Sequence, residues 1–167
     1  MNHAEAALAF SSVIEKTLEH RFLGDLCAHL WTEGIYDFAI SQSEVDHYGY
    51  DVTVEVGKIV RHIQLKLSHV GGKRSRVGIN TRLGDKPSGC VVWMFYRPAD
   101  LTVDHYRWFG GAPGERLPPL GDVVTHHTKG DSTGYKAERA GHRNISKSIF
   151  DRVDSIPDLA HLLFGIQ

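Results

Sequence analysis

Asp51, Gln64 and Lys66 stand on two β-prone runs, Tyr50 to Val56 and Ile59 to Leu67, separated only by Gly57-Lys58. Glycine first in a two-residue connection suits a type II′ hairpin turn. With that turn Val56 faces Ile59, and stepping outward along both strands brings Asp51 opposite Gln64. Opposed residues share a face with Cβ atoms about 5 Å apart, and alternate residues of one strand share it too. Asp51, Gln64 and Lys66 are therefore expected to point the same way. The other face carries Val52, Val54, Val56, Ile59, Ile63 and Leu65, the natural core side, with Arg61 as its exception. A slip of one residue would scatter the three polar groups over both faces.

These residue types suit a hard divalent cation. Mg²⁺, or Mn²⁺ in its place, takes oxygen ligands, which Asp51 supplies as a carboxylate, Gln64 as an amide carbonyl and Leu65 as a backbone carbonyl. Lys66 would stand beside the metal. In phosphodiester hydrolysis a metal lowers the pKa of bound water and offsets phosphate charge, while an ammonium group positions the water or stabilises the pentavalent oxyanion. Gln64 adds no negative charge, so a further carboxylate is expected to compensate. Glu19 is the candidate, because it precedes Phe22, Leu23, Leu26 and Leu30 on or beside a buried helical stripe. Glu15, one turn earlier, competes with it, and Asp46 could reach the metal from a loop. Lys73, Arg74 and Arg76 lie in a flexible, glycine-containing basic loop from His69 to Arg76 that meets either phosphates or only water.

The elements that must position these groups follow from periodicity. From Ala4 to about Trp31, Phe10, Ile14, Leu18, Phe22, Leu26 and Leu30 step by four, the pattern of one long helix or two shorter ones. Gly24 marks a possible kink and Gly34 a stop. Tyr36, Phe38 and Ile40 alternate with Asp37 and Ala39 as a short strand, and a polar loop from Ser41 to Gly49 follows. Beyond the hairpin, a short helical or irregular crossover from about Gly78 to Lys86 leads to Cys90 to Tyr96, a buried strand ended by Pro98. Candidate strands at His105 to Phe109 and Asp122 to Thr125 lie in a variable elaboration of about 100–142. Ser155, Pro157 and Asp158 open a terminal helix that Gly165 stops.

The run Asp46-His47-Tyr48-Gly49-Tyr50-Asp51, followed by Ile63-Gln64-Leu65-Lys66, resembles the PD-(D/E)XK nuclease superfamily, in the branch with Gln at the central acid. Tyr50 stands where that family's proline would precede the Asp. The resemblance covers roughly Glu15 to Tyr96. It implies an α/β fold with a restriction-endonuclease-like core, a mixed central sheet flanked by helices in the order α-β-β-β-α-β. It also implies that Asp51, Gln64 and Lys66 take the catalytic positions and Glu19 the helix acid, and that Mg²⁺ is the cofactor. Members cut DNA or RNA in restriction, repair and recombination, and some have lost catalysis.

Composition sets limits on these expectations. One domain over 1–167 is expected, since 167 residues with 41% hydrophobic content can bury a core unaided. Nineteen basic against 20 acidic residues give a net charge of −1, so any nucleic-acid footprint must be local. Two cysteines make no disulfide framework, and neither a signal-peptide pattern nor a membrane-length apolar run is present, so a soluble, cytoplasmic chain is expected. Eleven histidines include no HExxH, and adjacent His126-His127 on a strand would face opposite sides. Arg139, His142, Arg143 and Lys147, with Tyr135, form a second basic set that could track a nucleic-acid backbone through charge and stacking but reads first as solvated surface. Trp108 and Phe109 before Gly110-Gly111 are candidates for an exposed binding or dimer feature.

The leading expectation is a Mg²⁺-dependent DNA endonuclease, with DNA favoured over RNA and a homodimer possible if both strands are cut. The alternatives are a catalytically silent nuclease-like domain for nucleic-acid or protein binding, and a small-molecule or structural α/β protein.

Overall fold

The computed structural model describes residues 3–45, 47–127, 129–130 and 132–166. The N-terminal helical pattern resolves into α1 (His3–Ala9) and α2 (Ser11–Thr32), divided at Phe10, whose φ of −121° leaves the helical region. Helix α2 runs unbroken through Gly24 and buries Leu18, Phe22, Leu26 and Leu30 completely. Three strands follow: β1 (Phe38–Gln42), β2 (Val52–Val56) and β3 (Ile59–His69). The β2–β3 turn has Gly57 at φ +56°, the conformation that its place in a II′ turn requires. The register is the expected one from Val56–Ile59 to Val52–Ile63.

The chain then departs from the expected order. Instead of an α-helix, the crossover contains strand β4 (Arg76–Asn80) and a short 3₁₀ helix (Thr81–Asp85), capped by the Asn80 side chain accepting from Arg82 N–H at 3.0 Å. The order α-β-β-β-α-β is corrected accordingly among the described residues. Val77 and Ile79 alternate as a strand should, but the run holds too few apolar residues to stand out from the basic loop before it. Strands β5 (Gly89–Tyr96), β6 (Val103–Gly110), β7 (Val124–His126), β8 (Glu138–Ser146) and β9 (Asp151–Val153) follow, and α3 (Ile156–Phe164) comes after them. Ser155 caps α3 through its hydroxyl and Asp158 N–H, and Gly165 ends it at φ +68°.

The strands form two sheets. The larger is mixed, in the order β1-β2-β3-β5-β6-β9, with β3 and β5 parallel and the other neighbours antiparallel. The smaller is antiparallel, β4-β8-β7. Helices α2 and α3 cover one face of the large sheet, packing on Val52, Val54, Ile63, Val92 and Met94. The other face was expected to carry helices too. It carries the small sheet, whose Val77, Ile79 and Ile145 meet Val91, Trp93 and Phe95. Strand β5 is buried along all eight residues because both faces are covered. Trp108 and Phe109 belong to these cores and are not exposed.

Arg61 lies on the helix side of β3 and is 0% exposed. It donates from Nε to the Leu163 carbonyl at 2.6 Å, and from Nη2 to those of Leu162 (3.0 Å) and Gly111 (3.1 Å), with its guanidinium 5.3 Å from the Trp108 ring. The last carbonyls of a helix lack intrahelical partners and carry partial negative charge, so a cation there answers both needs of α3. No described helix is long and apolar enough to cross a membrane.

Candidate functional site

The regular β2–β3 ladder ends one pair short of Asp51. There the Asp51 N–H donates to the Ile63 carbonyl at 2.9 Å, the Asp51 carbonyl accepts from Ser43 N–H at 3.0 Å, and carboxylate Oδ2 accepts from Leu65 N–H at 2.6 Å. Asp51 thus reaches to the backbone of Leu65 and does not stand square across from Gln64, as an extended register would have it. The loop leading into it is held from behind. Gly49, at φ +75°, lies so close to β4 that a Cβ would stand 2.2 Å from that of Asn80. Only glycine fits there, and the contact fixes the approach to Asp51 relative to the small sheet.

Gln64 and Lys66 lie on the face of β3 turned away from α2, as their alternation with Leu65 requires. Gln64 is 6% exposed, and its Oε1 has no hydrogen-bond partner among the described residues. A buried polar atom without a partner costs free energy, on the order of 1–3 kcal/mol, and Arg61 Nη1 and Arg107 Nε share that state with Gln64 Oε1 among the described residues. Gln64 borders a cleft of about 570 Å³, bounded on that side by Asp51, Gln64, Leu65 and Lys66. The far wall comes from Arg74, from the small sheet with Arg76, His126, Arg139, His142 and Asn144, and from His127 and Lys136 in the loop between β7 and β8.

A second hollow of about 450 Å³ adjoins on the α2 side. It shares Asp51, Leu65, Lys66 and Arg74 with the first, and its helix wall is Ser12, Glu15, Lys16 and Glu19. A third, about 360 Å³, is lined by Glu15, His69, Lys73 and Arg74 among others. Asp51 and Lys66 therefore sit on the divide between the helix and the small sheet. Gln64 opens to one side and Glu19 to the other.

Glu19 is 9% exposed and engaged: Gln42 Nε2 donates to its Oε1 at 2.6 Å, and Lys16 Nζ lies 3.1 Å from the same oxygen. Gln42 belongs to β1, in a stretch that the sequence assigns to a polar loop, so nothing in its spacing pointed to Glu19. Glu15 borders the second and third hollows, and Asp46 lies outside the described residues. Of the loop cations, Arg74 and Arg76 reach the main cleft while Lys73 lines only the third hollow.

The basic set on β8 divides as well. Arg139 and His142 face the cleft, whereas the Arg143 guanidinium is spent on the Ala140 carbonyl and Lys147 lies 5.9 Å from the Phe95 ring. His126 and His127 line the same cleft despite being adjacent, because β7 ends at His126 and strand alternation no longer holds beyond it. His62 is structural: its Nδ1 lies 2.8 Å from the Pro87 carbonyl and its ring packs on Tyr50.

Among the described residues no group of three or more His, Cys, Asp or Glu is arranged to hold a metal ion. The donors at Asp51 and Gln64 are instead two oxygens of the hard type that Mg²⁺ prefers, and that ion characteristically keeps several waters and takes few protein ligands. The chain matches no protein-family model and is significantly similar to no curated protein.

Proposed function

We propose that the chain is a Mg²⁺-dependent phosphodiesterase, a DNA endonuclease with a PD-(D/E)XK-type site. The observation that carries the reading is that Asp51, Gln64 and Lys66 line one cleft together, with the buried Gln64 amide oxygen partnerless among the described residues. Asp51 and Gln64 would hold the cation, with the Leu65 carbonyl as a third donor. When bound, Mg²⁺ supplies a more acidic water and charge neutralisation on the phosphate.

The chain's own groups do the rest. Leu65 N–H fixes the Asp51 carboxylate and so its direction towards the cleft. Lys66 stabilises the oxygens of the pentavalent phosphorus as a water P–O bond forms and one ester P–O bond breaks, and the departing oxygen takes up a proton. Arg74 and Arg76 offset the charge of flanking phosphates. Glu19, beyond the divide, acts on the cleft only through Lys66 and Asp51.

Cleavage of single-stranded and duplex DNA and of RNA, with Mg²⁺ or Mn²⁺, tests the assignment. Wild type is expected to cut, with DNA preferred, and Asp51→Ala and Lys66→Ala to lose at least ~100-fold in rate. Activity that survives both substitutions overturns it. A second reading, a silent nuclease-like domain, is favoured by Glu19 being tied to Gln42 and Lys16, which leaves a site poor in negative charge. Calorimetric titration separates the two, because Mg²⁺ or Mn²⁺ binding that disappears in Asp51→Ala argues against a silent site.

A further inference from the structure

We infer that the small sheet, with the loop that leads into β8, is the substrate-gripping half of the site, and that Lys136 of that loop and Arg139 of β8 bind the phosphodiester backbone of a nucleic-acid strand across the cleft from Lys66. The assignment rests on the proposed function for the identity of the polyanion; the grip itself does not depend on catalysis.

Charge distribution is the first argument. The whole chain has a net charge of −1, yet the described lining of the cleft sets Lys66, Arg74, Arg76, Lys136 and Arg139 against the single carboxylate of Asp51. The rest of the molecule is correspondingly acidic. A walled cleft with one sign of charge focuses the field and draws in a polyanion that the molecule as a whole would not attract.

The backbone of β8 supplies the second. Its pairing with β7 jumps from Arg143 with Val124 to Arg139 with Thr125, passing over Ala140, Gly141 and His142. Arg139 and His142 are an odd number of residues apart, so an unbroken strand would turn them to opposite faces. The extra residues re-aim the strand, and both side chains face the cleft. Arg143 holds the irregularity in place, donating from Nη1 to the carbonyls of Ala140 (2.7 Å) and His142 (3.1 Å). The opposite side of the same sheet is anchored in the core through Val77, Ile79 and Ile145. A guanidinium presented on such a support suits the planar oxygens of a phosphate.

The test is binding without cleavage. Fluorescence anisotropy in EDTA would follow fluorescein-labelled single-stranded DNA, the same sequence as a duplex, and its RNA counterpart, from about 50 to 200 mM salt. Wild type is expected to bind at least one of them, with affinity falling as salt rises. Lys136→Ala/Arg139→Ala should weaken that binding on the order of tenfold and flatten the log–log salt dependence by about two units. Lys58→Ala, on the exposed hairpin turn, should leave both unchanged. Wild type binding none of the probes at low salt, or a double variant with a wild-type melting curve and undiminished affinity and slope, would overturn the assignment. Binding with no cleavage on adding Mg²⁺ would sink the nuclease reading and leave this one standing. Cleavage by wild type with binding unchanged in the double variant would do the reverse.

Discussion

Arg61 and Gln64 stand three residues apart on β3, both buried, both polar, and on opposite faces of the same strand. Arg61 meets the C-terminal end of α3 and spends three donors on carbonyl oxygens that the helix cannot satisfy itself. Gln64 meets a cleft, and its oxygen has no partner among the described residues. The first is polarity mostly consumed by the fold, with Nη1 left without a partner among the described residues. The second is polarity kept in reserve, which a stability argument alone would replace with leucine. Burial alone therefore does not separate the two groups; how much of each one's hydrogen-bonding capacity the fold engages does.

The largest effect that would break this contrast is at Arg61. Arg61→Ala removes three hydrogen bonds and opens a cavity under Trp108, with an expected loss of about 3–5 kcal/mol, measurable as a shift of the urea midpoint. Below the transition, nucleic-acid binding should remain. If stability were unchanged, the assignment of Arg61 as a helix anchor would fail.

Gln64 sharpens the contrast in two directions. Gln64→Glu buries a carboxylate and should cost about 1–3 kcal/mol in EDTA, and Mg²⁺ should recover more stability than it gives wild type, read as a larger rise in melting temperature. Gln64→Leu removes the partnerless oxygen and should leave stability within about 1 kcal/mol of wild type, or raise it, while abolishing the Mg²⁺-induced shift. A strongly destabilised Gln64→Leu would mean that the amide is as structural as Arg61.

The smallest effect concerns Cys90, near Arg61 and fully buried, whose thiol burial pushes up to about 12. Cys27, only partly buried, should react with a thiol reagent in the native protein, and Cys90 only on unfolding. A folded pKa raised above the ordinary 9.0 contributes stability that is fully present below pH 9.0 and is lost as pH climbs towards about 12. Alkaline destabilisation through that window, smaller in Cys90→Ala but still present because burial also pushes the Tyr106 hydroxyl up to about 12, is the measurable outcome.

Much of the large sheet was legible because its elements are strongly patterned. The step-of-four stripe of α2, the II′ turn at Gly57 and the continuous apolar run of β5 each carry one unambiguous signal. The small sheet was not. In β8, Glu138 to Gly141 are all exposed and Ile145 alone is buried, so no alternation announces a strand, and three residues outside the ladder disrupt what period remains. The site was half legible for the same reason. Gln64 and Lys66 share a face as hairpin geometry requires, while the register breaks at Asp51; Arg139 and Gln42 are brought in by pairings distant in sequence, of which local spacing carries no trace.

The capture of α3 by Arg61 also bears on the order in which the chain matures. The strand that carries the proposed site is complete in sequence long before the Leu163 carbonyl, 102 positions after Arg61, exists to receive the guanidinium. Until then the helix-side face of β3 presents a cation with no counterpart, and closing the core over it is unfavourable. On a ribosome, a nascent chain would hold Asp51 and Lys66 in an unfinished sheet, and competence to bind would arrive late and all at once.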